Sequence, residues 1–137
     1  MGIAQGALDE AVRFARTHKE GGEPLSSQQI IQHLLADMAT RVEAARMLTY
    51  GVARMIDSGK TRTTRDSAMS KLYASETAMW VTTRAVQILG ERGVLRTYPV
   101  EKMMRDAKIT EIYEGTSQVQ RNEIALALIR EAARAEA

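Results

Sequence analysis

The chain has 137 residues, which is long enough to bury a hydrophobic core, and this length predicts a single domain. It contains no cysteine and two histidines, His18 and His33, so a disulfide framework and a thiolate metal site are excluded and no metal is predicted. The formal charge is +2, and acidic and basic residues are interspersed rather than gathered in one stripe, which argues against a nucleic-acid partner.

The hydropathy of the chain argues against a membrane partner. No apolar run approaches the roughly 20 residues that a membrane-spanning helix needs, and the N-terminus lacks the apolar core of a signal peptide. We therefore expect a soluble, intracellular protein of the cytoplasm.

The composition predicts an all-α fold, because 9 glycines and only 2 prolines accompany many Ala, Leu, Glu, Arg and Met.

Periodic apolar residues predict four main helices in chain order. The first helix runs over residues 3–18 and ends at the Gly21–Pro24 break, where two glycines and a proline cannot continue it. Ser26 or Ser27 can cap the second helix, which ends near residue 58. The later predicted segments are a helix over 64–89, a short helical turn over 100–106 and a last helix over 118–135. Short connections make an up-and-down four-helix bundle the simplest arrangement, with no internal repeat or linker.

The segment 98–121, YPVEKMMRDAKITEIYEGTSQVQR, places a carboxylate immediately before the last helix. Glu114 is followed by Gly115 and Thr116, and Ser117 with Gln120 has the spacing of a capping box. A carboxylate that lies just outside a helix and is followed by glycine can reach into a cleft as a general base. The alternative is that Glu114 only favours the positive end of the helix dipole, and spacing alone leaves both interpretations open.

Three blocks of sequence resemble one enzyme family. The first comprises GIAQGALDEAV at residues 2–12 and GGEPL at 21–25, the second is QQIIQHLLADMA at 28–39, and the third extends from QILGERG at 87–93 to IYEGTSQVQR at 112–121. In these blocks the chain resembles the C-terminal helical domain of the acyl-CoA dehydrogenases, flavoenzymes that oxidise acyl-CoA thioesters to 2-enoyl-CoA. The resemblance covers nearly all of residues 1–137. It implies one domain, without the N-terminal helical and middle β domains of that family.

The resemblance implies a role for Glu114. In most family members the glutamate of the YEGT motif is the general base, so Glu114 is expected to remove a proton from the substrate α-carbon while the β-hydrogen leaves as hydride to FAD. The next residue, Gly115, is expected to bind substrate. Because the family's other two domains build much of the pocket, we expect residues 1–137 alone to be inactive.

The resemblance also implies an FAD site, which in the family is commonly shared with the neighbouring subunit's copy of this domain. The residues of this chain that it assigns to FAD are His18, Lys19, Gln28, Gln29, Gln87, Gly90, Thr116 and Gln118. The family pattern Arg-x-Gln-Phe-Gly-x-Pro reads here with His18, Glu20 and Gly21 at its first, third and fourth positions. The pattern Gln-x-x-Gly-Gly-x-Gly has Glu91 in place of its second glycine. Lys19 or Arg16 is a candidate to supply the missing cationic contact to phosphate.

Partners follow from the same resemblance. They are the acyl-CoA substrate, electron-transfer flavoprotein, and further copies of the chain in a dimer or tetramer. A competing hypothesis is a non-catalytic helical oligomerisation module that has lost flavin, which the changes at His18, Glu20, Gly21 and Glu91 favour and the intact YEGTSQ motif opposes. A flavin oxidase or monooxygenase on the same fold is a third, less favoured interpretation.

Overall fold

The computed structural model describes residues 1–136, and its regular structure is almost entirely helical. The elements in chain order are α1 (Gly2–Thr17), β1 (Lys19–Glu20), β2 (Glu23–Pro24), α2 (Gln29–Asp57), α3 (Thr64–Leu89), α4 (Val100–Thr110) and α5 (Ser117–Ala135). Short 3₁₀ turns precede α2 and follow α3, at Leu25–Ser27 and Gly90–Val94. The predicted all-α class is confirmed, and α3 has the predicted bounds.

The third helix lies at the centre of the bundle, because α3 packs against α1, α2, α4 and α5. Small side chains let helices approach closely, and α1 buries an alanine every three or four residues, at Ala4, Ala7, Ala11 and Ala15. Larger apolar side chains fill the remaining space, among them Met38 of α2 and Val81 of α3, which are fully buried. The predicted site residues lie near the two ends of this central helix.

The break after α1 is a tight hairpin rather than an irregular loop. Strands β1 and β2 pair antiparallel, with Lys19 opposite Pro24. The turn between them needs left-handed backbone, which Gly21 (φ +59°) and Gly22 (φ +92°) adopt without a Cβ clash. The hairpin returns the chain to the end of α1, where the Leu25 N–H donates to the His18 carbonyl at 2.9 Å.

The predicted caps of two helices are wrong. Gln28 rather than Ser26 or Ser27 precedes α2, and the Ser27 hydroxyl donates instead to the Pro24 carbonyl at 2.7 Å. At α5 the cap is Thr116, whose side-chain oxygen accepts from the Val119 N–H. Local hydrogen bonds within the preceding turn compete for a serine hydroxyl, and residue spacing does not reveal that competition.

The segment predicted as a short helical turn over 100–106 is a longer helix, α4, that continues to Thr110. Surface ion pairs along it have helical spacing, including Glu101 with Arg105 and Lys102 with Asp106. Pairs four residues apart support a helix that has few buried side chains of its own. Its continuation brings the end of α4 close to the start of α5.

Most of the exposed large apolar side chains of the helices lie on α2 and α5. Those of α2 are Ile30, Met47, Tyr50 and Ile56, and those of α5 are Val119, Leu126, Leu128 and Ile129. Within residues 1–136, no helix is both long enough and apolar enough to cross a membrane.

Candidate active site

The loop between α4 and α5 holds the Glu114 carboxylate outside the bundle. The Ser117 N–H donates to the Glu111 carbonyl at 3.0 Å, and this bond closes a short excursion of the chain over residues 112–116. Glu114 has φ +53°, and it is the only non-glycine residue with positive φ in the described part of the chain. Left-handed backbone costs an ordinary residue roughly 1–2 kcal/mol, so such positions occur mainly where function or a fixed turn requires them.

The residues after Glu114 form the N-terminus of α5. Thr116 caps the helix through a 3.3 Å hydrogen bond from the Val119 N–H to Oγ1, and the Gln120 N–H donates to the Thr116 carbonyl at 3.0 Å. Ser117 is buried as the first helical residue, and its hydroxyl has no hydrogen-bond partner among the described residues. The side chain of Gln118 is exposed.

A cleft of about 250 Å³ lies beside this helix start. Its lining includes Thr116 and Gln118, the two predicted FAD ligands of this region. It also includes Glu111, whose carboxylate is 2.7 Å from the Lys108 ammonium, so this second carboxylate of the loop is neutralised. Glu114 has no ion-pair partner in residues 1–136, and its side chain is exposed. Glu114 is therefore the carboxylate of the loop that is available to an external group.

Most of the other predicted FAD ligands meet at the opposite end of α3. A cleft of about 320 Å³ is lined by four of them, His18, Gln28, Gln87 and Gly90. The hairpin and the sharp turn after α3 create this cleft, and Gly90 makes that turn with φ +59° and ψ −132°, a conformation open essentially to glycine alone. Gly93 fixes the turn against α3, since a Cβ there would lie 2.5 Å from the Val86 carbonyl oxygen.

Arg92 supplies the cation of this cleft, and sequence analysis does not identify it. Its Nη1 lies 3.3 Å from His18 Nε2, and because a guanidinium can only donate, the imidazole nitrogen accepts. The His18 ring stacks on Phe14 with a centroid distance of 4.7 Å. Lys19 and Arg16, the predicted sources of a cation, are exposed and do not line the cleft, and neither does Gln29.

The residues of this cleft fit an anionic group such as a diphosphate. Arg92 offers a guanidinium, and the side-chain amides of Gln28 and Gln87 add neutral donors. Two carboxylates, Glu20 and Glu91, also line the cleft and oppose an anion. The Glu91 side chain is 88 % exposed, so water screens its charge strongly.

The two clefts share no lining residue, so the predicted site residues fall into two separate groups. Within the described residues, no three His, Cys, Asp or Glu side chains are placed to hold a metal ion. Lys71 of α3 is a further residue that the sequence does not predict, and its ammonium donates to the Gly115 carbonyl at 2.7 Å. Nothing in the spacing along the chain connects Lys71 with a loop 44 residues later.

Comparison with known proteins identifies the family of this chain. The family model for the acyl-CoA dehydrogenase C-terminal domain matches residues 1–129. Cyclohexane-1-carbonyl-CoA dehydrogenase of Geobacter metallireducens is 48 % identical over 133 residues, which are 97 % of this chain and 35 % of the relative. The solved structure of butyryl-CoA dehydrogenase from Megasphaera elsdenii matches with a TM-score of 0.91 and 48 % identity, over 93 % of this chain and 33 % of that one.

A further match of the same quality belongs to a structure described as the electron-transferring flavoprotein of Acidaminococcus fermentans. Its TM-score is 0.91 and its identity 48 %, over 94 % of this chain and 34 % of that chain. The chain therefore belongs to the acyl-CoA dehydrogenase family, and it corresponds to the C-terminal helical domain. It spans about a third of the length of the curated relatives that it matches.

Proposed function

We propose that this chain is the base-bearing domain of an FAD-dependent acyl-CoA dehydrogenase, which converts an acyl-CoA to its 2-enoyl-CoA. The observation that carries the proposal is the left-handed backbone of Glu114, the residue to which the resemblance assigns the role of base. A strained residue that also bears an exposed, unpaired carboxylate is typical of a functional site. A carboxylate that only stabilised the dipole of α5 would need no strained backbone.

In this proposal Glu114 accepts the proton from the α-carbon of the acyl group. Gly115 contributes to substrate binding, and its φ of +89° continues the left-handed turn that directs Glu114 outward. Lys108 neutralises the neighbouring carboxylate of Glu111, which leaves one proton acceptor in the loop. A positioned general base typically contributes about 10²–10⁴-fold to a rate.

We assign FAD binding to the two clefts at the ends of α3. Thr116 and Gln118 line one, while His18, Gln28, Gln87 and Gly90 line the other with Arg92. FAD, when bound, supplies the group that accepts the hydride from the β-carbon. Because the clefts are separate, we propose that each contacts a different part of FAD, or FAD of a different subunit. Lys19 and Gln29 stay candidates only for contacts outside the second cleft.

The partners proposed for the enzyme are an acyl-CoA, an electron-transferring flavoprotein and further copies of the same chain. We assign self-association to the faces of α2 and α5 that carry exposed apolar side chains, since an exposed apolar patch often marks a protein–protein contact. Light scattering on the protein in its natural full length tests this part, and a strictly monomeric protein would contradict it.

The decisive test replaces Glu114 by Gln in the protein at its natural full length, with FAD, an acyl-CoA and an artificial electron acceptor. We expect FAD content to be unchanged and the oxidation rate to fall at least about 100-fold, because the amide keeps the shape of the side chain but accepts no proton. Glu101→Gln is the matched control, since Glu101 is a carboxylate of α4 that pairs with Arg105 at the surface, and it should retain the rate. Retention of more than a few per cent of the rate by Glu114→Gln would contradict the assignment of Glu114 as the general base.

The alternative is a helical module that has kept its association surfaces and lost flavin. The carboxylates of Glu20 and Glu91 in the second cleft favour it. Incubation with excess FAD, followed by desalting and a visible spectrum, separates the two functions. Flavin retained in stoichiometric amount supports the enzyme, and protein of natural length that retains none supports the module.

A further inference from the structure

The loop that carries Glu114 holds two successive residues in left-handed backbone. Glu114 has φ +53° and Gly115 has φ +89°. Glycine adopts this conformation freely, whereas glutamate does so only when its surroundings impose it. The Ser117 N–H donates to the Glu111 carbonyl, and the Ile112 and Tyr113 N–H groups donate to the Ile109 carbonyl, so backbone bonds hold both ends of the loop. The peptide groups of Glu114 and Gly115 take part in none of these backbone hydrogen bonds. Other contacts must therefore select the conformation of Glu114.

The first contact comes from the central helix. The Lys71 ammonium donates to the Gly115 carbonyl at 2.7 Å, a short distance that is typical of a hydrogen bond from a charged donor. Lys71 is half-buried, and no carboxylate among residues 1–136 pairs with it. A lysine ammonium usually lies in water or beside a carboxylate. Lys71 instead binds a neutral backbone carbonyl, which indicates a role in fixing the position of the Gly115 carbonyl.

The second contact comes from α5. The side-chain amide of Gln120 donates to the Glu114 carbonyl at 3.0 Å, and the same nitrogen lies 3.4 Å from the Gly115 carbonyl oxygen. A Cβ on Gly115 would stand 2.8 Å from that nitrogen, so the glycine also makes room for the amide. Gln120 therefore does not complete a capping box with Ser117, as its spacing predicts, but reaches back into the loop.

We infer that Lys71 and Gln120 are positioning residues for the catalytic base. Gln120 of α5 holds the Glu114 carbonyl, and Lys71 of α3 holds the next carbonyl, that of Gly115. Together they fix the left-handed turn that directs the Glu114 carboxylate outward. They also fix Gly115, the residue assigned to substrate. Both side chains act on the backbone of the loop rather than on the Glu114 carboxylate. This inference rests on the proposed function for its catalytic consequence, but the clamp itself is a property of the loop that is measurable without turnover.

The test uses Lys71→Met, which keeps the apolar stem and removes the donor, in the protein at its natural full length. We expect kcat to fall about 10- to 100-fold with FAD content unchanged, because a small displacement of a catalytic group has effects of this size. KM for the acyl-CoA should rise by a smaller factor, since the clamp also fixes Gly115. Gln120→Glu, which turns the donor into an acceptor, should have an effect in the same direction. Lys71→Arg restores a cationic donor and should recover most of the loss in kcat.

Lys102→Met is the matched control, since Lys102 is an exposed lysine of α4 that pairs with Asp106. A second readout is hydrogen exchange of a peptide that spans residues 110–120, measured by mass spectrometry. Lys71→Met should lower the protection of this loop about tenfold, and Lys102→Met should leave it unchanged.

The outcomes separate the clamp from the proposed function. Loss of loop protection in Lys71→Met, together with full activity of Glu114→Gln, would keep the clamp and overturn the base assignment. Wild-type kcat and wild-type loop protection in both Lys71→Met and Gln120→Glu would overturn the clamp, whatever Glu114→Gln does. A fall in kcat that Lys71→Arg does not relieve, with loop protection intact, also contradicts positioning by Lys71.

Discussion

The two ends of α3 differ in how closely the local sequence follows the family pattern. They also differ in which distant residues contact the motif at each end. At the Glu114 end the YEGTSQ motif is intact, and backbone hydrogen bonds, Thr116 and Lys71 hold the loop in one conformation. At the hairpin end His18 and Glu91 stand where the family pattern has arginine and glycine, and Arg92 instead provides the guanidinium. A distant cation therefore contacts each end. Lys71 binds the backbone of an intact motif, whereas Arg92 lies beside a side chain, His18, that differs from the family pattern.

Apart from Glu114→Gln and Lys71→Met, the largest expected effect concerns the cation at the hairpin end. Arg92→Met should lower the affinity of the full-length protein for FAD at least about tenfold, because a hydrogen bond from a charged donor contributes roughly 1.5–3 kcal/mol. The measurement is flavin retained per mole of protein after desalting, followed by a titration with FAD.

The matched controls for Arg92→Met are Lys19→Met and Glu91→Gln. Lys19 does not line the cleft, so its substitution should leave retention unchanged, and loss of one carboxylate at Glu91 should leave it equal or higher. If Lys19→Met loses flavin while Arg92→Met retains it, the assignment of Arg92 is contradicted. The cation that contacts FAD would then be Lys19, which the sequence spacing favours.

An effect of intermediate size is expected at the Glu114 end, where Thr116→Val and Ser117→Ala form a matched pair. Thr116→Val removes the cap of α5 and should lower the free energy of unfolding by about 1 kcal/mol. Ser117→Ala should be neutral or slightly stabilising, because a buried hydroxyl without a partner is costly. Urea denaturation measures both. If Ser117→Ala lowered the free energy of unfolding more than Thr116→Val does, the result would favour the capping box of Ser117 and Gln120 that the spacing predicts.

The smallest expected effect lies in α4, which connects the two ends. The Arg105 guanidinium donates to Glu101 and lowers the pKa of that carboxyl from its ordinary value of 4.5. Because the pKa of the folded state lies below that of the unfolded state, the stabilisation is present above about pH 4.5 and disappears as the pH falls through the folded value. Glu101→Gln should therefore lower the melting temperature slightly at pH 7 and not at all in strong acid.

Flavin retention and the exchange of the Glu114 loop should both be unaffected by Glu101→Gln, since the pair lies on the surface of α4. The double variant with Arg105→Gln should be no less stable than Glu101→Gln alone. A stability difference that grows rather than vanishes below pH 4 would contradict the assigned direction of the pKa shift.

Helix positions were predictable because apolar periodicity reports directly on burial. The bounds of α3 and the ends of α1 and α2 follow from glycine and proline punctuation within one or two residues. The caps were not predictable, because Ser27 and Ser117 have hydroxyl groups whose partners depend on the turn that each occupies. The sequence underestimates the length of α4, because only Val100 and Ala107 of this helix are buried and two buried positions give a weak periodic signal.

The sequence by itself determined the all-α class, the family and the identity of Glu114 as the candidate base, because motif letters and periodicity are local properties of the chain. Only the tertiary structure decided which groups surround them. The left-handed backbone of Glu114 depends on contacts from α3 and α5, and the cation beside His18 comes from a residue 74 positions away. Contacts between residues so far apart in the chain arise from helix packing, which residue spacing does not encode.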